Sequence, residues 1–373
     1  MKEYRICNNC VMDTSDPDIK FDENGICNYC LEYPKKRKMF VPEPHEREKY
    51  LNKMSEVCKK KGKGKKYDCI IGVSGGVDST YLAWKVKEFG LRPLAVHLDN
   101  GWDSELAVAN IHKVLKQLDI ELYTYVLDWE EFKSLQIAFL KSSTPDCEIP
   151  TDHAIVALLR QLASKYDLPL IWGVNFSSEA ILPRAWSQGH MDWNYIKKVN
   201  KLFGNKKLKN YPHYSVFKLI YWKRIKSIPE FYLLNYIEYV KEDAKKFLIE
   251  KFGWQDYGSK HHESIYTKFY QNYILPTKFG FDKRRAHYSS LILAKQMTRD
   301  EALIKLKEPL YSEEELKEHL EYIPKKLGLT REEFDAIMRK PPKSYFDYAP
   351  KWTSRIKFLD KKIYAIIKKL KDL

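Results

Sequence analysis

The chain has 373 residues, 44% of them hydrophobic and 31% charged, and its 65 Lys and Arg against 50 Asp and Glu leave a formal net charge of +15. This composition excludes a disordered chain, and the longest apolar runs, such as 68–73, are strand-sized, so no membrane span is expected. The basic excess points to an anionic partner, such as nucleic acid, a nucleotide or an acidic sugar, or else to a solvated basic surface. No apolar segment follows Met1-Lys2-Glu3-Tyr4-Arg5, so no secretory signal and a cytoplasmic address are expected.

Residues 1–34 carry two C-x2-C pairs, Cys7/Cys10 and Cys27/Cys30, among turn signals at Asp16-Pro17 and Asn24-Gly25. Four thiolates at this spacing predict one tetrahedral Zn²⁺ in a closed, structural site. A redox pair is the competing reading, but the βαβ pattern of such pairs is missing here. An odd total of seven cysteines argues against a disulfide framework. Of the other three, Cys69 falls in a buried strand, and Cys147 could reach the surface.

Residues 35–66 read as a basic connector with one helix near 45–60. From 67 the pattern becomes strand, turn, helix, repeated. Strands are predicted over 68–73, 92–98, 121–126 and 169–174, with helices over 78–89, 104–118, 130–142 and 152–166 between them. Strands separated by helices imply right-handed crossovers and a doubly wound, mostly parallel sheet, an α/β core over 67–180. Beyond about 177 the strand signal fades. Residues 181–373 read as a helical, aromatic-rich region that completes the active site and meets substrate or partners. Within it, 211–236 is aromatic and basic, which fits helix packing better than a docking surface.

Ser74-Gly75-Gly76-Val77-Asp78-Ser79 stands directly after the first strand and opens the first helix of the core. Glycines there let backbone N–H groups converge on a phosphate without a Cβ in the way. The helix N-terminus and the two serine hydroxyls add donors. An ordinary strand-to-helix turn would not require both serines and the double glycine. The Walker A pattern is absent, and Gly62-Lys63-Gly64-Lys65 has no strand before it.

Ser-Gly-Gly-Val-Asp-Ser resembles the PP-loop of the N-type ATP pyrophosphatases. The resemblance implies cleavage of ATP between its α and β phosphates, with Ser74, Gly75, Gly76, Val77, Asp78 and Ser79 gripping pyrophosphate. It also implies adenine contacts from the ends of the first two strands, Gly72, Val73, Val96 and Leu98. Gly173 and Asn175 end a later strand at the same carboxyl edge, and Asp99 begins the loop after the second strand. Asp78 is a candidate Mg²⁺ holder, although capping the helix serves equally.

A third stretch runs from His261-His262 through Lys278 to Asp282-Lys283-Arg284-Arg285. A solvated histidine pair is the bland reading, but the cations lack the spacing of a charged helix face and offer fixed charge for pyrophosphate or an anionic substrate. With the cysteine pairs, the 74–79 loop, 150–155 and 283–287 taken together, the chain resembles the N-acetyl sugar amidotransferases of bacterial surface-glycan pathways. That resemblance implies conversion of an acetamido to an acetamidino group through an O-adenylyl imidate and ammonia, with ATP and Mg²⁺ used and AMP and pyrophosphate released. Lys283 and Arg284, with Asp78, are then the catalytic candidates, and Asp99, Asn175, His261, His262 and Lys278 the substrate candidates. No glutaminase signature is evident, so the resemblance implies separate partners, a glutaminase and a barrel-type ammonia-supplying subunit. Membrane and nucleic acid are not expected as partners. Two other classes remain: a PP-loop tRNA-modifying enzyme, for which Cys147 would be the available cysteine, and a zinc-ribbon scaffold that binds nucleotide without chemistry.

Overall fold

The computed structural model describes residues 3–258 and 263–349. The cysteine-rich start leads into α1 (Asn28–Phe40) and α2 (Pro44–Gly62). Next come β1 (Cys69–Gly72), α3 (Val77–Glu88), β2 (Pro93–Asp99), α4 (Glu105–Gln117), β3 (Glu121–Val126), α5 (Trp129–Ser142), α6 (Ile149–Tyr166), β4 (Leu170–Ile171) and α7 (Phe176–Glu179). The rest is mostly helical: α8 (Trp193–Phe203), α9 (Val216–Ile220), β5 (Glu230–Phe231), α10 (Lys241–Phe252), α11 (Ile265–Phe269) and α12 (Arg284–Leu293). It closes with α13 (Arg299–Lys307), α14 (Glu313–Leu327), α15 (Arg331–Arg339) and α16 (Tyr345–Tyr348).

The strands form one sheet in the order β3-β2-β1-β4-β5, every neighbouring pair parallel. Side chains alternate across it as a period of two requires. Ile70, Leu94, Val96 and Leu98 join the core formed with α5 and α6, whereas Cys69, Ile71 and Ala95 join the core formed with α3, α4 and α10. Helices therefore cover both faces, as the α/β reading expected. Leu82 and Val86, fully buried on α3, each contribute about 2 kcal/mol by leaving water. The helix starts are fixed locally: Ser104 Oγ accepts from Ala107 N at 3.2 Å, and Asp128 Oδ1 from Glu131 N at 3.1 Å.

Two expectations need correction. The strand signal does not end near 177, because Glu230–Phe231 pairs in parallel with Leu170–Ile171 and adds a fifth strand to the core sheet. A two-residue strand is too short to show a period in sequence. The cysteine-rich segment also does not stop at 34, since α1 runs on to Phe40, and Tyr33 and Phe40 stack on Phe176 at 5.3 and 5.5 Å. Elsewhere, 211–236 packs inward through buried Tyr211, Tyr214 and Trp222. Among the described residues no helix is long and apolar enough to cross a membrane.

What the fold does for function happens at the carboxyl ends of β1, β2 and β4, where open α/β sheets collect ligands. The chain after 250 closes over that edge. Ser104 N donates to Glu263 O at 2.8 Å and Ile265 N to Trp102 O at 2.9 Å, tying α11 to the loop that follows β2.

Candidate active site and cysteine centre

Between β1 and α3 the 74–79 loop folds onto itself. Ser74 N donates to Ser79 Oγ at 3.2 Å, Ser79 Oγ to Gly76 O at 3.1 Å, and the two serine hydroxyls lie 3.3 Å apart. Gly75 has φ +82°, and a Cβ there would stand 2.7 Å from the carbonyl oxygen of Ala107. No other residue fits between the loop and α4. Trp254 Nε1 donates to Gly75 O at 3.0 Å, fixing the turn from the far side. His97 bridges Val73 O (3.0 Å) and Asp103 Oδ2 (3.2 Å). Burial pulls its imidazole down, but the bond and charge of Asp103 outweigh this and hold His97 above the usual histidine value.

Side chains from distant segments converge on this loop. Asp78 Oδ1 accepts from the hydroxyl of Tyr239, whose own pKa burial and the Asp78 charge push well up. The Tyr257 hydroxyl would lie 3.1 Å from a Cβ on Gly76, and Glu263 Oε1 3.6 Å from it.

A second group of charges stands at the start of α6. Crowding by protein pushes the Glu148 carboxyl up to about 7, against the opposing bond from Thr267 Oγ1 (2.5 Å) and the charge of Lys283. Asp152 is exposed, yet protein atoms crowd its carboxyl closely. That crowding, with the charges of Asp146 and Glu148, raises it to about 8, and Lys283 again opposes. Glu179 is felt both by Asp152 and by Tyr239, the residue that holds Asp78. The two groups therefore share one electrostatic environment.

The four cysteines form a tight, buried cluster. Their Sγ atoms all lie within 4.8 Å of one another, with Cys7–Cys30 at 3.8 Å, Cys10–Cys27 at 3.7 Å and Cys27–Cys30 at 3.6 Å. A tetrahedron with metal–sulfur bonds of about 2.3 Å has edges of about 3.8 Å, so the set fits one ion of that kind. A multi-iron cluster would put each thiolate on a different iron and spread the sulfurs further. Backbone N–H groups of Asn9 and Cys27 point at Cys7 Sγ, at 3.4 and 3.2 Å, the arrangement thiolates favour. The cluster is clamped to the chain's far end. Arg299 donates to the carbonyls of Cys7 and Cys10 (3.0 and 3.1 Å), Ser289 Oγ accepts from Val11 N (3.1 Å), and Arg285 pairs with Asp13 (2.8 Å).

Residues 263–360 match the family model of the C-terminal domain of WbpG-like LPS biosynthesis proteins. This part of the chain is similar to that domain. Over 114 residues, 30% of the chain, the sequence is 32% identical to an uncharacterised protein of Methanocaldococcus jannaschii, of whose length the chain spans 39%. Among solved structures it resembles an NH3-dependent NAD synthetase from Campylobacter jejuni, at 16% identity over 72% of this chain and 99% of that one, with a TM-score of 0.29. It also resembles a U34-tRNA thiolase with a [4Fe-4S] cluster from Methanococcus maripaludis, at 16% identity over 82% and 89%, with a TM-score of 0.33. At scores this low the fold rests on the strand pairing itself.

The matched stretch brings Glu263 to the 74–79 loop and Thr267 and Lys283 to the carboxylates at the start of α6, and its α12 is the helix held by the cysteine module. Other candidates lie elsewhere. Arg284 forks onto Asp282 (2.8 Å) and bonds the carbonyls of Lys305, Leu306 and Glu308 (3.1–3.3 Å), which makes it a brace between α12 and α13. Lys278 bonds Ser143 Oγ at 2.9 Å and Ile337 O at 2.5 Å, and burial lowers it to about 8. Asn175 caps α7 through Ser178 N (2.9 Å), while its buried Nδ2 has no partner among the described residues, leaving a donor at the end of β4. Asp99 Oδ1 accepts from Gly101 N at 2.8 Å and holds that turn. Val96 pairs with the loop's base through Val73 N (2.9 Å), buried Leu98 sits further along β2, Gly72 lies against Leu159, and Gly173 backs onto Ser79 and Leu82. His261 and His262 lie outside the described residues. Cys147, whose place in sequence left surface exposure open, is buried at 3% exposure, and that burial pushes its thiol up, away from a nucleophile's range. Sequence reasoning missed Glu148, Asp152, Tyr239, Tyr257 and Glu263. Asp152 and Glu263 lay in stretches already singled out, but neither was named as a site residue.

Proposed function

We propose that the protein is an ATP-dependent, AMP-forming amidotransferase acting on an acetamido sugar of a bacterial surface glycan. One observation carries the reading: the stretch that matches the WbpG-like model meets the 74–79 loop through Glu263, 3.6 Å from where a Cβ on Gly76 would stand, and brings the charge of Lys283 to the carboxylates at the start of α6. In this scheme the sugar's amide oxygen attacks the α-phosphorus of ATP, the bond to the β-phosphate breaks, and pyrophosphate leaves. The 74–79 loop receives that pyrophosphate on its N–H groups and hydroxyls. Ammonia then adds to the imidate carbon, and AMP departs with its electron pair to leave the amidine.

Each residue has work that matches its place. Lys283 offsets negative charge on the phosphates. Glu148 and Asp152, poised near neutrality, accept the proton released as ammonia becomes bonded to carbon. Asp78, half-buried on the first turn of α3, is the carboxylate that would hold Mg²⁺, which when bound offsets the growing charge of pyrophosphate. The cysteine set is read as a structural Zn²⁺ site that positions α12 behind Lys283.

A tRNA-modifying enzyme is the second reading, motivated by the net charge of +15. Burial of Cys147 counts against its thiolating form.

The test supplies purified protein with ATP, an acetamido sugar panel, and either ammonium or glutamine. AMP, pyrophosphate and an amidine by mass are expected with ammonium alone, rising with pH as free ammonia appears. Glutamine should serve only with a separate glutaminase. Asp78→Ala and Ser79→Ala should abolish turnover while the protein stays folded. Release of ADP and orthophosphate would contradict the reading, as would salt-sensitive tRNA binding without any amidine.

A further inference from the structure

A cavity of about 310 Å³ opens between the cysteine module, the segment leading into α6, the turn before α8, and α16. Its walls combine aromatic rings, Trp186, Tyr345 and Phe346, with the polar ends of Arg184, Gln188 and Lys343. Trp186 is held by stacking on Phe281 at 4.3 Å and 5°. Phe346 meets Tyr345 edge-on at 5.3 Å and is 69% exposed, so it presents an open ring face. Tyr345 is itself fixed by donating to Asp192 Oδ2 at 2.8 Å. Among the described residues, nothing bonds the guanidinium of Arg184 or the amide of Gln188.

This mixture suits one kind of ligand. A pyranose ring has an apolar C–H face that rests on aromatic rings and an equatorial belt of hydroxyls that needs donors and acceptors. The cavity is at the small end of ligand clefts, which run from about 300 to 1,000 Å³. It admits one sugar ring and leaves any nucleotidyl group outside. Arg184 and Lys343 add cations that a ring carboxylate would meet.

Its position joins it to the chemistry. Asp146 and Ile149 line the cavity, and Asp152 stands one helical turn beyond Ile149 on α6. The charge of Asp146 reaches both Glu148 and Asp152, the carboxylates that face Lys283. Asp146 is itself fixed, accepting from Glu148 N at 3.1 Å and from Ser187 Oγ.

We infer that this cavity holds the ring of the acetamido sugar, lying on Phe346 and Tyr345 with Arg184 and Lys343 taking its polar substituents. The inference rests on the amidotransferase reading and adds where its sugar sits.

Calorimetric titration with neutral and acidic acetamido sugars (N-acetylglucosamine, N-acetylneuraminic acid and UDP-N-acetylglucosamine) tests it on the full chain. Phe346→Ala and Arg184→Ala change exposed side chains and should leave the fold and ATP affinity unaltered. Each is expected to weaken sugar binding about tenfold and to raise the sugar's KM in AMP release. Sugar-dependent AMP release unchanged in both variants would overturn the cavity and leave the amidotransferase reading standing. Wild-type AMP release with no dependence on any sugar would remove that reading and this inference with it.

Discussion

Glu148 is held in the fold in a way that should make the protein more stable when it is neutralised. Its carboxyl titrates at about 7 rather than its ordinary 4.5. The folded state therefore binds the proton more tightly than the unfolded chain. The stabilisation this gives is fully present below pH 4.5 and is lost as pH rises through 7. At about 1.4 kcal/mol per pH unit the loss comes to about 3.5 kcal/mol, and solvent reaching the half-buried group trims it to about 2. Glu148→Gln keeps an acceptor for Thr267 and removes the titration. At pH 8 the variant should be more stable than the parent by about 2 kcal/mol, a rise in Tm of about 2–3 °C for a chain of 373 residues, whereas at pH 4.5 the two should be nearly equal. Thermal melts across that range decide it, and turnover should fall in the same variant if the carboxyl accepts a proton. A variant no more stable than the parent at pH 8 would refute the reasoning. Such a result would mean that Lys283 and water already compensate the charge.

Lys283→Met should lower AMP release by about a hundredfold or more with little change in Tm. Arg284→Met should instead cost about 2 kcal/mol of stability, because three carbonyls and Asp282 lose their donor, and should leave residual turnover per folded molecule higher than Lys283→Met does. Metal analysis should find about one zinc per chain. Cys10→Ser should release it and expose α12 to amide exchange before the sheet, an order that a metal site with no bearing on α12 would not produce.

Much of the sheet was legible because buried strands and amphipathic helices alternate with the right periods, and because Gly75-Gly76 between two serines has no use in an ordinary turn. β5 was not, since two residues carry no pattern; nor was the length of α1, whose last residues, 35–40, read as the start of a basic connector. In the site, Lys283 stood out as a cation outside any regular helix face. Glu148 and Asp152 did not, because acids in a helix's first turn are expected on dipole grounds alone. Their elevation comes from burial by the folded chain and from the neighbouring charge of Asp146, against which Thr267 and Lys283, residues brought in from far along the chain, work. Arg284 and Lys278 looked equivalent to Lys283 in sequence. What separates them is a set of carbonyl partners at 305–308 and 337 that only the folded chain brings near.

The central claim is that the amide oxygen of the sugar ends on the phosphorus of AMP. Turnover of an acetamido sugar labelled with ¹⁸O at its amide carbonyl, followed by mass analysis of the nucleotide, tests it directly. The account predicts one labelled oxygen in AMP for each amidine formed and none in pyrophosphate. Label in orthophosphate alongside ADP, or label retained in the sugar while AMP accumulates, would contradict it.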